Sequence, residues 1–100
     1  MMIRLMSSYP KQLTIGENVW DVVFCRRIPD EPSNIVGLTD PSEFTIYIKM
    51  GQTPEDRFKT FAHEVCHAVC FEYGIKENHS IIYGLEEPIL RFFIDNGLVL

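Results

Sequence analysis

Thr53-Pro54-Glu55-Asp56 opens a helix, and Gly74 is placed to close it. Thr53 has the side-chain oxygen that a helix N-cap needs, and Pro54 fits the first helical position. The two acids suit the positive end of the helix dipole. The spacing predicts one helix over about residues 54–73. Its second half carries His63-Glu64-Val65-Cys66-His67, a His-Glu-x-x-His pattern. Residues four apart share a helix face, at roughly 5–6 Å between Cβ atoms. Two imidazoles so placed can grip one Zn²⁺, with Glu64 beside them. Phe58, Phe61, Ala62, Val65 and Val69 fall on one side of this helix; His63, Glu64 and His67 fall on the other, with Phe71 next to them. A helix with an apolar back and a ligand-bearing front has to be covered twice, by a sheet on one side and another element on the other.

Ahead of that helix the chain reads as strands and turns. Residues 3–6 form a short strand, broken by Ser7-Ser8-Tyr9-Pro10. Residues 18–24 are rich in β-branched and aromatic side chains and read as a strand. Two prolines make 26–34 a loop. Residues 35–39 read as a strand, and Asp40-Pro41-Ser42-Glu43 as a turn. The plainest alternation is in 44–50. There Phe44, Ile46, Ile48 and Met50 share one face, and Thr45, Tyr47 and Lys49 the other. That polar-aromatic face with a lysine fits a partly exposed strand at a sheet edge. Behind the motif helix, 75–79 form a connector to a second helix, capped by Asn78 or Ser80 and running to about Asn96. Its apolar stripe is Ile82, Leu85, Ile89, Phe92 and Phe93. Pro88 cannot bond to the carbonyl of Gly84, so it either kinks this helix or moves its start toward Glu86. Residues 98–100 are expected to tuck onto the core. The class is α+β: a small N-terminal sheet packed on the motif helix, with a C-terminal helix, in a single domain over 1–100.

A formal charge of −5 argues against a nucleic-acid partner, which needs a clustered basic surface. No stretch approaches the roughly 20 apolar residues of a membrane span. The first six residues lack the apolar core of a secretion signal. Cys25, Cys66 and Cys70 make an odd count, unsuited to a disulfide framework. These features point to the cytoplasm.

A catalytic zinc usually has three protein ligands and an open position. His63 and His67 supply two. On an unbroken second helix, Glu86 leans toward the apolar stripe, about 70° from its middle, while Glu87 lies nearly opposite it. Glu86 is therefore the preferred third ligand and Glu87 is expected in solvent. His79, in the connector, is the rival. It can ligate, it can donate a hydrogen bond to a developing oxyanion, or it is simply an exposed histidine near a helix start. Tyr47, Tyr73 and Tyr83 are further oxyanion donors or plain packing residues. Glu64 is not needed as a ligand. Zinc lowers a bound water's pKa to about 7, and Glu64 can take that proton and pass it to a leaving amine. A structural zinc on Cys66 or Cys70 is disfavoured, because ligands from adjacent turns of one helix cannot surround a tetrahedral ion.

Phe61-Ala62-His63-Glu64-Val65-Cys66-His67-Ala68, with Leu85-Glu86 downstream, resembles the gluzincin-type zincin metallopeptidases. It is most similar to small phage-type metallopeptidases of the ImmA/IrrE-like group. Gly37-Leu38-Thr39-Asp40, Ile46-Tyr47-Ile48 and Asp95-Asn96 extend the resemblance over about residues 18–97. The resemblance implies a minimal zincin fold, zinc on His63, His67 and Glu86, and Glu64 as catalytic base. It implies a peptide or protein substrate extended along an edge strand, here 44–50, and a host-cytoplasm setting if the chain is phage-encoded. Ala68-Val69-Cys70-Phe71 after the motif lacks the glycine and third histidine of metzincins. The expected function is a zinc-dependent metallopeptidase. The alternative is a catalytically silent binding or inhibitor protein on the same scaffold, acting on a host protein.

Overall fold

The computed structural model describes residues 9–96. The expected strand at 3–6 and the C-terminal segment 98–100 lie outside the described residues, as do the side chains of Phe92 and Phe93. The chain is α+β. Four strands, β1 (Gln12–Ile15), β2 (Asn18–Cys25), β3 (Gly37–Asp40) and β4 (Thr45–Lys49), precede two helices, α1 (Pro54–Glu72) and α2 (His79–Asp95). The sheet is mixed, in the order β1-β2-β4-β3. β2 pairs with β4 in parallel, and the two outer pairings are antiparallel.

β1 is absent from the sequence-based expectation. It is only four residues long, but Gly16-Glu17 links it to β2, with Ile15 opposite Asn18. Gly16 has φ +62, as the first position of a type II′ hairpin turn requires. The inward faces then follow the two-residue period: Trp20 and Val22 from β2, and Ile46 and Ile48 from β4, are buried together with Ile15. α1 lies over this face through Ala68, with Phe61, Val65 and Val69 packed around it.

The expectation for residues 44–50 is corrected. The 44–50 stretch is not an edge strand. β4 has β2 on one side and β3 on the other, so the edge beside it belongs to β3. Alternation reports which face a side chain takes and says nothing of what pairs along the edges. The strand is also shorter than expected. Phe44 has φ +47 and closes the preceding turn, and Met50 is exposed beyond its end. α2 begins where a cap at Asn78 or Ser80 places it, and not near Glu86. It starts at His79 and runs through Pro88. Asn78 caps it, its Oδ1 accepting from the backbone N–H of Ser80 at 3.0 Å. Gly84 and Pro88 are both exposed, so water can reach the carbonyl that Pro88 leaves without a partner.

The ends of α1 are fixed as its sequence suggests. Thr53 accepts from the backbone N–H of Asp56 at 3.2 Å, and Gly74 has φ +63 after the C-cap Tyr73. Gln52 accepts from Thr60 at 2.8 Å and donates to the carbonyl of Lys49 at 2.9 Å, tying the second turn of α1 to the end of β4. At the far end, Glu72 accepts from the indole of Trp20 at 2.8 Å and from the amide of Asn18 at 2.8 Å. Among the described residues no helix is long and apolar enough to cross a membrane.

Trp20 is fully buried, so Glu72→Ala strands its indole N–H. We expect a loss of about 1–3 kcal/mol, and a smaller one for Glu72→Gln, which keeps an acceptor oxygen. Urea unfolding followed by the fluorescence of Trp20, the chain's single tryptophan, reads both. Equal stability of Glu72→Ala and wild type would contradict this account of the clamp.

Candidate metal centre

α1 buries both of its long sides. Ala68 and its neighbours face the sheet, while His63 and His67 face away from it and are buried as well, each only 9% exposed. α2 supplies the cover. It brings His79 to the pair, and the three imidazoles converge through the same atom. His67 Nε2 lies 3.1 Å from His63 Nε2 and 3.2 Å from His79 Nε2. The ligand atoms of all three fall within 4.8 Å of one another. A tetrahedral zinc with bonds of about 2.0–2.1 Å holds neighbouring ligand atoms about 3.3 Å apart. Two of the three nitrogen separations are close to that value, so the residues fit a three-imidazole site.

The opposite ring nitrogens meet carboxylates. His63 Nδ1 is 2.5 Å from Glu86 Oε1, and His67 Nδ1 is 3.1 Å from Glu77 Oε1. Glu86 thus reaches the centre from α2, as its helical position suggests, but it meets the nitrogen of His63 that points away from the cluster. His79 is the residue whose nitrogen joins the Nε2 group. Glu87 is exposed and paired with Lys59 at 2.6 Å, which holds its carboxyl below the usual range. The Tyr83 ring lies 4.7 Å from that of His63 and 5.9 Å from that of His79. Tyr73 caps α1 and is exposed, and Tyr47 sits on the sheet; neither lines the cleft at the motif.

Glu64 turns toward β3. It is buried, and Thr39 Oγ1 lies 2.8 Å from its Oε1 and 2.9 Å from its backbone carbonyl. The single hydroxyl hydrogen serves one of these acceptors at a time. Burial pushes the Glu64 carboxyl above its usual range; the Thr39 hydrogen bond and the neighbouring His63 and His67 imidazoles oppose the rise. Glu64 opens onto a cleft of about 780 Å³, lined among others by Gly37, Thr60, His63, Tyr83 and Glu86.

Sequence reasoning missed Thr39, Gly37 and Glu77. A threonine and a glutamate that meet α1 across the fold leave no local mark. The glycine does, because glycine inside a strand signals close backbone approach. A Cβ on Gly37 would stand 2.7 Å from Thr60 Cγ2 and 2.9 Å from Glu64 Oε2. No protein-family model, curated protein or solved structure matches the chain.

Gly37→Ala therefore has to push α1 and β3 apart or displace Glu64. The expected cost is about 1–3 kcal/mol. Adding Thr60→Ser removes the nearer of the two clashing atoms while keeping the hydroxyl, and should recover part of it. Urea midpoints of the single and double variants test this; a neutral Gly37→Ala would show that the strand and helix are not in such close contact.

Proposed function

We propose that this chain is a zinc-dependent metallopeptidase that hydrolyses peptide bonds. The observation that carries the reading is the convergence of three imidazole Nε2 atoms beside a buried carboxylate that opens onto a cleft. His63, His67 and His79 would hold the ion. Bound there, zinc supplies a Lewis acid for the scissile carbonyl and brings the pKa of a water to about 7. Glu64 takes the proton of the attacking water as the oxygen joins the carbonyl carbon. It returns that proton to the amine nitrogen as the C–N bond breaks. Thr39 holds the side chain at the cleft. Tyr83, whose ring lies 4.7 Å from that of His63, is a candidate hydrogen-bond donor to an oxyanion.

A peptide is expected along β3. Its inner side pairs with β4, and its outer side is the sheet edge. Val36 and Gly37 line the cleft there. An extended peptide can add to such an edge through backbone hydrogen bonds. Resemblance to small phage-type metallopeptidases supports the same chemistry. Three free cysteines fit a reducing compartment, the cytoplasm.

Protein purified without added zinc should carry about one equivalent of metal by elemental analysis. Glu64→Gln should keep that zinc and its thermal stability, yet lose about a hundred- to ten-thousand-fold in cleavage of an unfolded protein such as casein. Unchanged cleavage by Glu64→Gln would sink the assignment of the base. Zinc-loaded wild type that cleaves nothing, with a Glu64→Gln variant that keeps full biological activity, would favour the catalytically silent binding protein.

A further inference from the structure

We propose that Glu86 and Glu77 are positioning residues that lock His63 and His67 as Nδ1–H tautomers, so that three imidazoles and no carboxylate ligate the ion. This rests on the metal-centre reading above and assigns how that centre is held. An ionised carboxylate only accepts hydrogen bonds, so an imidazole nitrogen facing it has to carry the hydrogen. His63 Nδ1 faces Glu86 and His67 Nδ1 faces Glu77. A neutral imidazole has a single N–H, so both Nε2 atoms are then bare lone pairs. They stand 3.1 Å apart, with His79 Nε2 at 3.2 Å from one of them. The facing lone pairs of His63 and His67 repel at that distance unless a cation sits between them. A carboxylate on one ring nitrogen with metal on the other is the usual way a ligand histidine is oriented and made more basic.

The helix spacing supports this division of labour. His79, Tyr83 and Glu86 lie at i, i+4 and i+7 on α2, one face two turns long. That face delivers a ligand at its N-terminal end and an orienting carboxylate two turns later, on the far side of the His63 ring. The two carboxylates are not equivalent. The Glu86 side chain is 22% exposed and that of Glu77 is 47% exposed. Glu86, in the drier surroundings and at the shorter distance, holds its histidine more firmly.

The test uses the whole 100-residue chain, with Zn²⁺ and Co²⁺ as the probes. In ¹⁵N spectra of the metal-free and zinc-loaded forms, His63 and His67 should both read as Nδ1–H. Glu86→Ala should release His63 from that tautomer and leave His67 in it; Glu77→Ala, at a more exposed position, should do the reverse. Zinc affinity should fall about 10–100-fold in Glu86→Ala, less in Glu77→Ala, and less in Glu86→Gln, which keeps an acceptor oxygen. The visible spectrum of the Co²⁺ form should keep its shape in Glu86→Ala and change in His79→Ala. Failure of wild type to bind Zn²⁺ or Co²⁺ at all would remove the metal-centre reading. If metal binds, an Nε2–H tautomer for His63 would overturn this inference alone. So would a Glu86→Ala spectrum showing the loss of a ligand while that of His79→Ala is unchanged.

Discussion

α1 has to be covered on both sides, and the rest of the fold answers that demand. Its apolar residues need the sheet, so β2 and β4 present Trp20, Val22, Ile46 and Ile48 to it. Its other side carries His63 and His67, which a sheet of aliphatic side chains could not satisfy. α2 covers that side instead, with polar groups at the point of contact. Buried polar groups are costly unless they are paired. The histidine cluster is therefore a condition of packing the two helices.

The same demand explains the neighbours of the motif. Glu64 is buried at the seam between α1 and β3, where Thr39 supplies a hydrogen and Gly37 supplies room. His63 and His67 each turn one nitrogen to a carboxylate and the other inward. Each buried polar side chain of the motif thus has a partner from a different part of the chain: β3, the connector and α2. Those partners hold the imidazole nitrogens together and leave the carboxylate of Glu64 at an open cleft.

Much of this was legible because it is local. Thr53-Pro54 and Gly74 mark the ends of α1 within a residue, and the motif's spacing declares which side chains share a face. Glu86 was also legible as the residue of α2 that leans inward, in contrast to exposed Glu87. That Glu86 would meet the Nδ1 atom of His63 was not, since a shift of a few ångströms decides which ring atom it reaches. His79 was ambiguous because its role depends on where α2 begins, and Pro88 obscured that start. The place of β4 inside the sheet depends on long-range pairing with β2, to which the alternation of Ile46 and Ile48 is blind. β1 was missed because four residues carry too little pattern, although Gly16 marks its turn.

In the proposed centre His63, His67 and His79 share one ion through Nε2. X-ray absorption at the zinc edge on wild type, compared with His79→Ala and Glu86→Ala, measures that directly. Three imidazole ligands with Zn–N distances of about 2.0–2.1 Å are expected, falling to two in His79→Ala and staying at three in Glu86→Ala. Two imidazoles and a carboxylate oxygen in wild type, with the oxygen lost in Glu86→Ala, would contradict it.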